Sequence, residues 1–283
     1  MSKSKAAWLI IATSLIIVGL TMFIVVMSIN GWDFKKLSTI DFETNTHNVN
    51  EEFSNISLKT STADVSFAVS EDGKCKVVCY EQEKVYHFVK VVNDTLTINV
   101  VDDRKWYEHI GIAIGSPKIT VYLPKEDYVS AMKVKTSTGD IRLKDMSVDL
   151  IDFSTSTGDI NVSDVECESS IRFCVSTGDI NITDIKCEKL ISEGDTGDIS
   201  LKNVIVADSI SIETDTGDVK FNRCDAGKIS VETDTGDITG TLLSEKIFFV
   251  ETDTGKVNFP KTNTGGRCQL ETDTGDIKIS ISK

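Results

Sequence analysis

The sequence predicts an all-β fold: a single-chain parallel β-helix (β-solenoid) of 19–20 residues per coil, behind one N-terminal transmembrane helix. Three observations carry this prediction. A glycine turn written "STGD" or "DTGD" recurs at a fixed spacing. Apolar residues alternate with a period of two on both sides of it. One charge-free stretch stands near the N-terminus.

The charge-free stretch is Trp8 to Ile29, 22 residues. As a helix it spans roughly 33 Å, enough to cross a bilayer core of about 30 Å. Trp8 and Trp32 stand near its ends, where tryptophan anchors to the membrane interface. A cleaved signal peptide is the rival reading. The apolar run is longer than such peptides use, and no small-x-small cleavage site follows it. Lys3 and Lys5 precede the span and Lys35 and Lys36 follow it, a weak charge bias. A short tail before a long body favours the N-in, C-out orientation, with the body outside the cell. The expected organisation is a tail (1–7), a membrane helix (8–29), a polar stalk (30–52), an irregular β cap or first coil (53–130) and the repeats (131–283).

The repeat glycines are Gly139, Gly158, Gly178, Gly197, Gly217, Gly236, Gly255 and Gly275, spaced 19 or 20 apart. A fixed period of this size, carried by a turn and short alternating runs, marks a solenoid. Two residues after each glycine stand Ile141, Ile160, Ile180, Ile199, Val219, Ile238, Val257 and Ile277. Seven before it stand Met132, Ile151, Ile171, Leu190, Ile210, Ile229, Phe248 and Cys268. Period-two alternation means strands with one face buried, and equivalent residues one coil apart should form stacked ladders. Glycine suits the corner because it adopts positive φ without a Cβ clash. Threonine precedes it in every copy, from Thr138 to Thr274, and its hydroxyls are expected to bond along the stack. Eight coils would make a rod roughly 40 Å long.

A degenerate copy, "LKTSTADVSFAV" at 58–69, carries Ala63 where glycine is expected. The segment "ITVYLPKEDYVSAMKVKTSTGDIRL", followed by "STGDI" coils behind one N-terminal span, resembles the bacterial putative-adhesin β-helix family, a membrane-anchored, cell-envelope domain of unknown function. The similarity covers roughly residues 53–283. It implies an envelope protein and carries no catalytic residues. The "ETDTGD" copies are more acidic than the family's usual turn.

The side chains with chemistry are spread by the repeat rather than gathered. Four of the seven cysteines, Cys167, Cys187, Cys224 and Cys268, fall on inward ladders and read as small buried hydrophobes; Cys224 is placed with Met146, Val165, Ile185, Val204 and Leu243. A Cys167–Cys187 disulfide stays open on distance. Cys174 points outward and is the reactive-thiol candidate. Cys75 and Cys79 share a strand face, too far apart to bridge. With no CxxC, and with His47, His87 and His109 scattered in the sequence, no metal site is assigned. A polysaccharide-active enzyme would need acids clustered beside a base, and Arg142, Arg172, Arg223 and Arg267 take four different coil positions. The chain therefore reads as a non-enzyme.

The acidic ladders are the strongest surface feature of a chain with 44 acidic and 30 basic residues, net charge −14. That balance argues against nucleic acid as a partner. Glu193, Glu213, Glu232, Glu251 and Glu271 repeat four before the glycine, and an Asp follows most glycines. Two charges stacked at a strand spacing repel by roughly 0.9 kcal/mol even in water. Turn chemistry and solubility are the leading explanation. Calcium between coils is the alternative cofactor, with Asp215, Asp234, Asp253, Asp273, Asp218 and Asp237 as ligands. A cationic partner is the third. The expected role is a structural or adhesin-like interaction module at the cell envelope. It would be held in the lipid bilayer by residues 8–29, with an envelope polymer or protein as partner. A solenoid scaffold polymerising at the membrane is the rival.

Overall fold

The structure, a computed structural model, describes residues 3–34, 38, 40–109, 115–124 and 129–282. Two compact units emerge: 1–42 with 104–115, and 43–103 with 116–283.

The first unit contains helix α1, Lys3–Ile29. Its stretch Ala7–Ile29 is long and apolar enough to cross a membrane, and apart from Met27 near its end its side chains are exposed. Three polar residues in the span satisfy themselves. Thr13, Ser14 and Thr21 each donate a hydroxyl proton to the carbonyl four residues back, at 2.9, 2.8 and 2.8 Å. Such back-bonding suits a helix surrounded by hydrocarbon, where no water could take their protons. Gly31 and Trp32 end the helix at positive φ, and the Trp32 N–H bonds the Met27 carbonyl at 2.8 Å. Lys35 and Lys36 lie outside the described residues.

The second unit is the solenoid. Its strands are β1 (Phe42–Val49), β2 (Asn55–Lys59), β3 (Asp64–Val69), β4 (Cys75–Gln82), β5 (Val85–Val92), β6 (Thr95–Asp102), β7 (Lys118–Leu123), β8 (Val129–Thr138) and β9 (Ile141–Thr157). The regular coils continue through β10 (Ile160–Thr177), β11 (Ile180–Thr196), β12 (Ile199–Thr216) and β13 (Val219–Thr235). The last strands are β14 (Ile238–Leu242), β15 (Lys246–Thr254), β16 (Val257–Asn258), β17 (Gly266–Thr274) and β18 (Ile277–Ile281). The expected parallel ladders form. Ile141, Ile160, Ile180, Ile199 and Val219 pair in succession, as do Ile151, Ile171, Leu190, Ile210 and Ile229. All ten are at most 2% exposed, so the core is a column of stacked aliphatic rungs.

Each regular coil turns at three places. The first is the glycine corner. The second lies six residues later, where Asp145, Asp164, Asp184, Asn203 and Arg223 adopt φ between 52° and 57°. Asp and Asn tolerate this left-handed conformation better than most residues, and their recurrence is a corner signal that the glycine pattern overshadows. The third corner absorbs the irregular period. The register shifts between Glu166 and Ser170, Cys187 and Lys189, and Val206 and Ser209, so a 19-residue and a 20-residue coil can stack without disturbing the other two faces.

The two ends depart from simple stacking. At the N-terminal end β2 and β3, the degenerate copy, sit directly on the first regular coil: Ile56 pairs with Met132, Leu58 with Val134, and Val65 with Ile141. Beyond it β6 and β7 form a further parallel layer, joined by the antiparallel pairings β5–β6, β4–β5 and β4–β7. β1 pairs with β4. Residues 42–49 are therefore a strand and not part of a stalk. Only Phe42 and Val49 at its ends are large apolar residues, which hid it from the alternation test.

At the C-terminal end the order of coils is exchanged. β13 pairs with β17, not β15, and β17 then pairs with β15. Likewise β18 lies between β14 and β16. The last coil in the chain is thus inserted beneath the one that precedes it. Side-chain content explains the choice. Cys268, Leu270, Ile277 and Ile279 are all buried to within 4%, whereas Val257 in the outer coil is 41% exposed. A further correction concerns Cys224, which pairs with Leu242 rather than Leu243. The coil of β14 lacks the left-handed residue of the second corner, so the register advances by one there.

Candidate functional site

The glycine corner is a hydrogen-bonded column. At Gly197, φ is +140° and a Cβ would lie 2.0 Å from the Gly178 carbonyl oxygen, so the coils approach more closely than any side chain permits. The aspartate after each glycine has a defined task. Asp64 Oδ1 accepts the Asp140 N–H, and the pattern climbs through Asp140, Asp159, Asp179, Asp198, Asp218 and Asp237 to the Asp276 N–H, at 2.7–3.2 Å. Asp276 in turn accepts the Lys256 N–H at 2.8 Å. Lys256 stands in the outermost coil. Its break in the aspartate pattern falls where no further rung follows, so no carboxylate is needed. The expected threonine bonds come from a different residue. The inward threonine three before the glycine, not the one adjacent, donates to the glycine carbonyl of the preceding coil in the stack: Thr155 to Gly139, Thr233 to Gly217, Thr272 to Gly236 and Thr252 to Gly275, at 3.0–3.4 Å. Period-two alternation turns this threonine inward and the adjacent one outward.

Beside the corner lies the acidic face. Register places Glu193, Glu213, Glu232, Glu271 and Glu251 in one column, in that spatial order. Asp215, Asp234, Asp253 and Asp273 are exposed beside it. Asp218 and Asp237 each commit an oxygen to the backbone of the next coil. Among the described residues, none of these six calcium candidates belongs to a group of three ligating atoms within reach of one ion. The arginines serve local contacts: Arg142 to Asp140 at 2.6 Å, Arg172 to Glu193 at 2.8 Å, and Arg267 over the Phe249 ring at 4.5 Å. An open groove follows the second corner, lined by Asp145, Asp164, Asp184 and Asn203 with Ile185 and Ile205. Its polar groups again repeat with the coils, Ser147, Glu166 and Lys186 standing two residues after the corner aspartates.

All seven cysteines stand as thiols, Cys167 and Cys187 included. Burial pushes Cys187 and Cys268 up to about 12 and Cys167 to about 11. Cys174 is the most accessible of them, yet partial burial, and then the Glu193 carboxylate, hold its thiol above the ordinary value. Its position is as expected; an activated thiolate is not supported.

Sequence reasoning missed a polar cluster in the cap. Glu81 on β4 is 1% exposed and His87 on β5 is 3% exposed. The His87 ring donates from Nδ1 to Glu81 Oε2 at 2.7 Å, and its backbone N–H reaches the same oxygen at 2.7 Å. The other ring nitrogen meets the Thr60 hydroxyl at 2.9 Å. Asn45 on β1 donates to Glu81 Oε1 at 3.0 Å. Burial pushes the Glu81 carboxyl up, but the bonds from His87 and Asn45 together outweigh it and hold it below the usual carboxylate range. His47, two residues after Asn45, and Cys79, two before Glu81, complete the group. Their ligating atoms and that of Glu81 lie within 4.8 Å of one another. Histidines scattered in sequence thus converge on one carboxylate. The signal available was Cys79-x-Glu81 on one strand face; its partners arrive only through long-range pairing.

The geometry defines a class of protein: a parallel β-solenoid with three corners per coil and a polar exterior repeated coil by coil, in a chain whose N-terminal helix can cross a membrane. A family model described as Toastrack DUF4097 matches residues 53–190 and again 169–283, so the chain belongs to the Toastrack DUF4097 family. A crystal structure described as a putative adhesin from Bacteroides fragilis NCTC 9343 is similar, with a TM-score of 0.59 at 17% identity, over 85% of this chain and 97% of the other. A second, described as a putative lipid binding protein from Parabacteroides distasonis ATCC 8503, has a TM-score of 0.53 at 16% identity, over 86% and 98%. At such identities the likeness establishes the fold. No curated protein matches the chain.

Proposed function

We propose that this protein is a membrane-anchored, adhesin-like interaction module whose solenoid is displayed outside the cell. The observation that carries the reading is the exterior: carboxylates and amides recur once per coil along continuous faces, an arrangement suited to extended contact rather than to chemistry at one point. The two similar structures are described as an adhesin and a lipid binding protein, which fits a non-enzyme. The ends favour a module over a polymerising scaffold. One end closes with antiparallel strands and the other with an exchanged coil, so the two do not match as a head-to-tail joint. The acidic column suits a cationic surface or polymer of the envelope.

The test is protease added to intact cells carrying a C-terminally tagged chain. Loss of the tag from intact cells is the expected result. Protection until the cells are lysed would place the body inside and favour the scaffold.

A further inference from the structure

We propose that His47, Cys79 and Glu81 form a binding site for a divalent transition ion of the zinc type, with His87 positioning the glutamate. The three ligating atoms already lie within 4.8 Å of one another, so a modest contraction brings them onto one ion. Zinc bonds of about 2.0–2.3 Å to nitrogen, oxygen and sulfur suit this set, whereas calcium and magnesium prefer oxygen alone.

Two observations inside the cluster point to a ligand. His47 Nε2 is buried and has no hydrogen-bond partner, an uncommon state for an imidazole nitrogen. Glu81 has its oxygens unequally used. Oε2 accepts two bonds from His87, while Oε1 accepts one from Asn45 and retains a lone pair for a metal. His87, held from its far side by Thr60, fixes the carboxylate as outer-shell partners of metal ligands do. The ligands sit on paired strands rather than on a loop, which keeps their geometry. Three protein ligands leave a fourth position for water or for a group from a binding partner.

Binding balances simply. Cys79 Sγ–H gives its proton to water as the sulfur–metal bond forms, and His47 binds as the neutral imidazole through Nε2.

The experiment uses the full chain in detergent, freed of metal by a chelator, and titrated with Co²⁺ and then Zn²⁺. A thiolate-to-cobalt charge-transfer band that saturates at one equivalent and is displaced by Zn²⁺ is expected. Cys79→Ser abolishes the band, His47→Ala weakens zinc binding about tenfold or more, and His87→Asn weakens it about 10–100-fold. Cys174→Ser leaves the band and the affinity unchanged. Because Glu81 and His87 are buried, far-UV circular dichroism checks each variant, and His47→Ala, at a partly exposed residue, keeps the test sharp if the others unfold. Zn²⁺ should also raise the Tm of the native chain and not that of His47→Ala. No band, a band that survives Cys79→Ser, or equal zinc affinity in His47→Ala overturns the proposal.

Discussion

Asp179 shows how one residue type satisfies two demands at the corner. Its Oδ1 takes the Asp198 N–H at 2.9 Å, while its own N–H is taken by Asp159 at 2.9 Å. The stacked charges repel, but each is offset by a charge-assisted bond to the backbone. If the bond matters more than the charge, Asp179→Asn should be nearly neutral, because the amide oxygen can still accept. Asp179→Ala should cost about 1–2 kcal/mol, the range for such a bond at a partly exposed site. Chemical denaturation of both variants decides; an equal loss in the two would show that charge is the quantity selected. Ser192 shows the opposite case. It is fully buried with its hydroxyl unpaired, in a ladder where its neighbours are Phe173 and Ile212. Nothing in the structure explains why serine stands there. The inward ladders were legible in the sequence because burial follows alternation residue by residue. The Glu81 cluster was not, since Asn45, His47 and His87 reach it only through strand pairing.

At the scale of elements, the middle coils follow from their period, and the ends do not. A 19- or 20-residue repeat fixes which residues share a rung but says nothing about the order in which rungs stack. That order is decided by which coil better fills the space above β13, and β17 with β18 does so through four well-buried side chains. The same limit hid β1, whose value lies in covering β4 rather than in its own apolar content. The exchange can be tested by disulfide trapping. Glu232 pairs directly with Glu271, whereas Glu251 is one strand further away. Cysteines placed at 232 and 271 should cross-link on mild oxidation. Those at 232 and 251, about two strand spacings or 9–10 Å apart, should not. Cross-linking of the second pair alone would restore stacking in chain order.

For the whole molecule, a net charge of −14 concentrated in columns makes stability sensitive to salt. Raising NaCl should raise the Tm of the chain, and CaCl₂ at equal ionic strength should do so to the same extent, within about 1 °C. A larger, calcium-specific rise that Asp234→Ser and Asp273→Ser abolish would instead assign those carboxylates to ion binding. The exchanged end has one more consequence. Most solenoids fray from their last coil, because it has a neighbour on one side only. In this chain Ile277–Ile281 pairs along its length with β14, and Ile277 and Lys278 are held on the other side by β16 as well. The outer coil at 246–258 is paired on one side only, so opening starts there. An endopeptidase would find its first purchase in that outer coil, some twenty residues before the strand it covers.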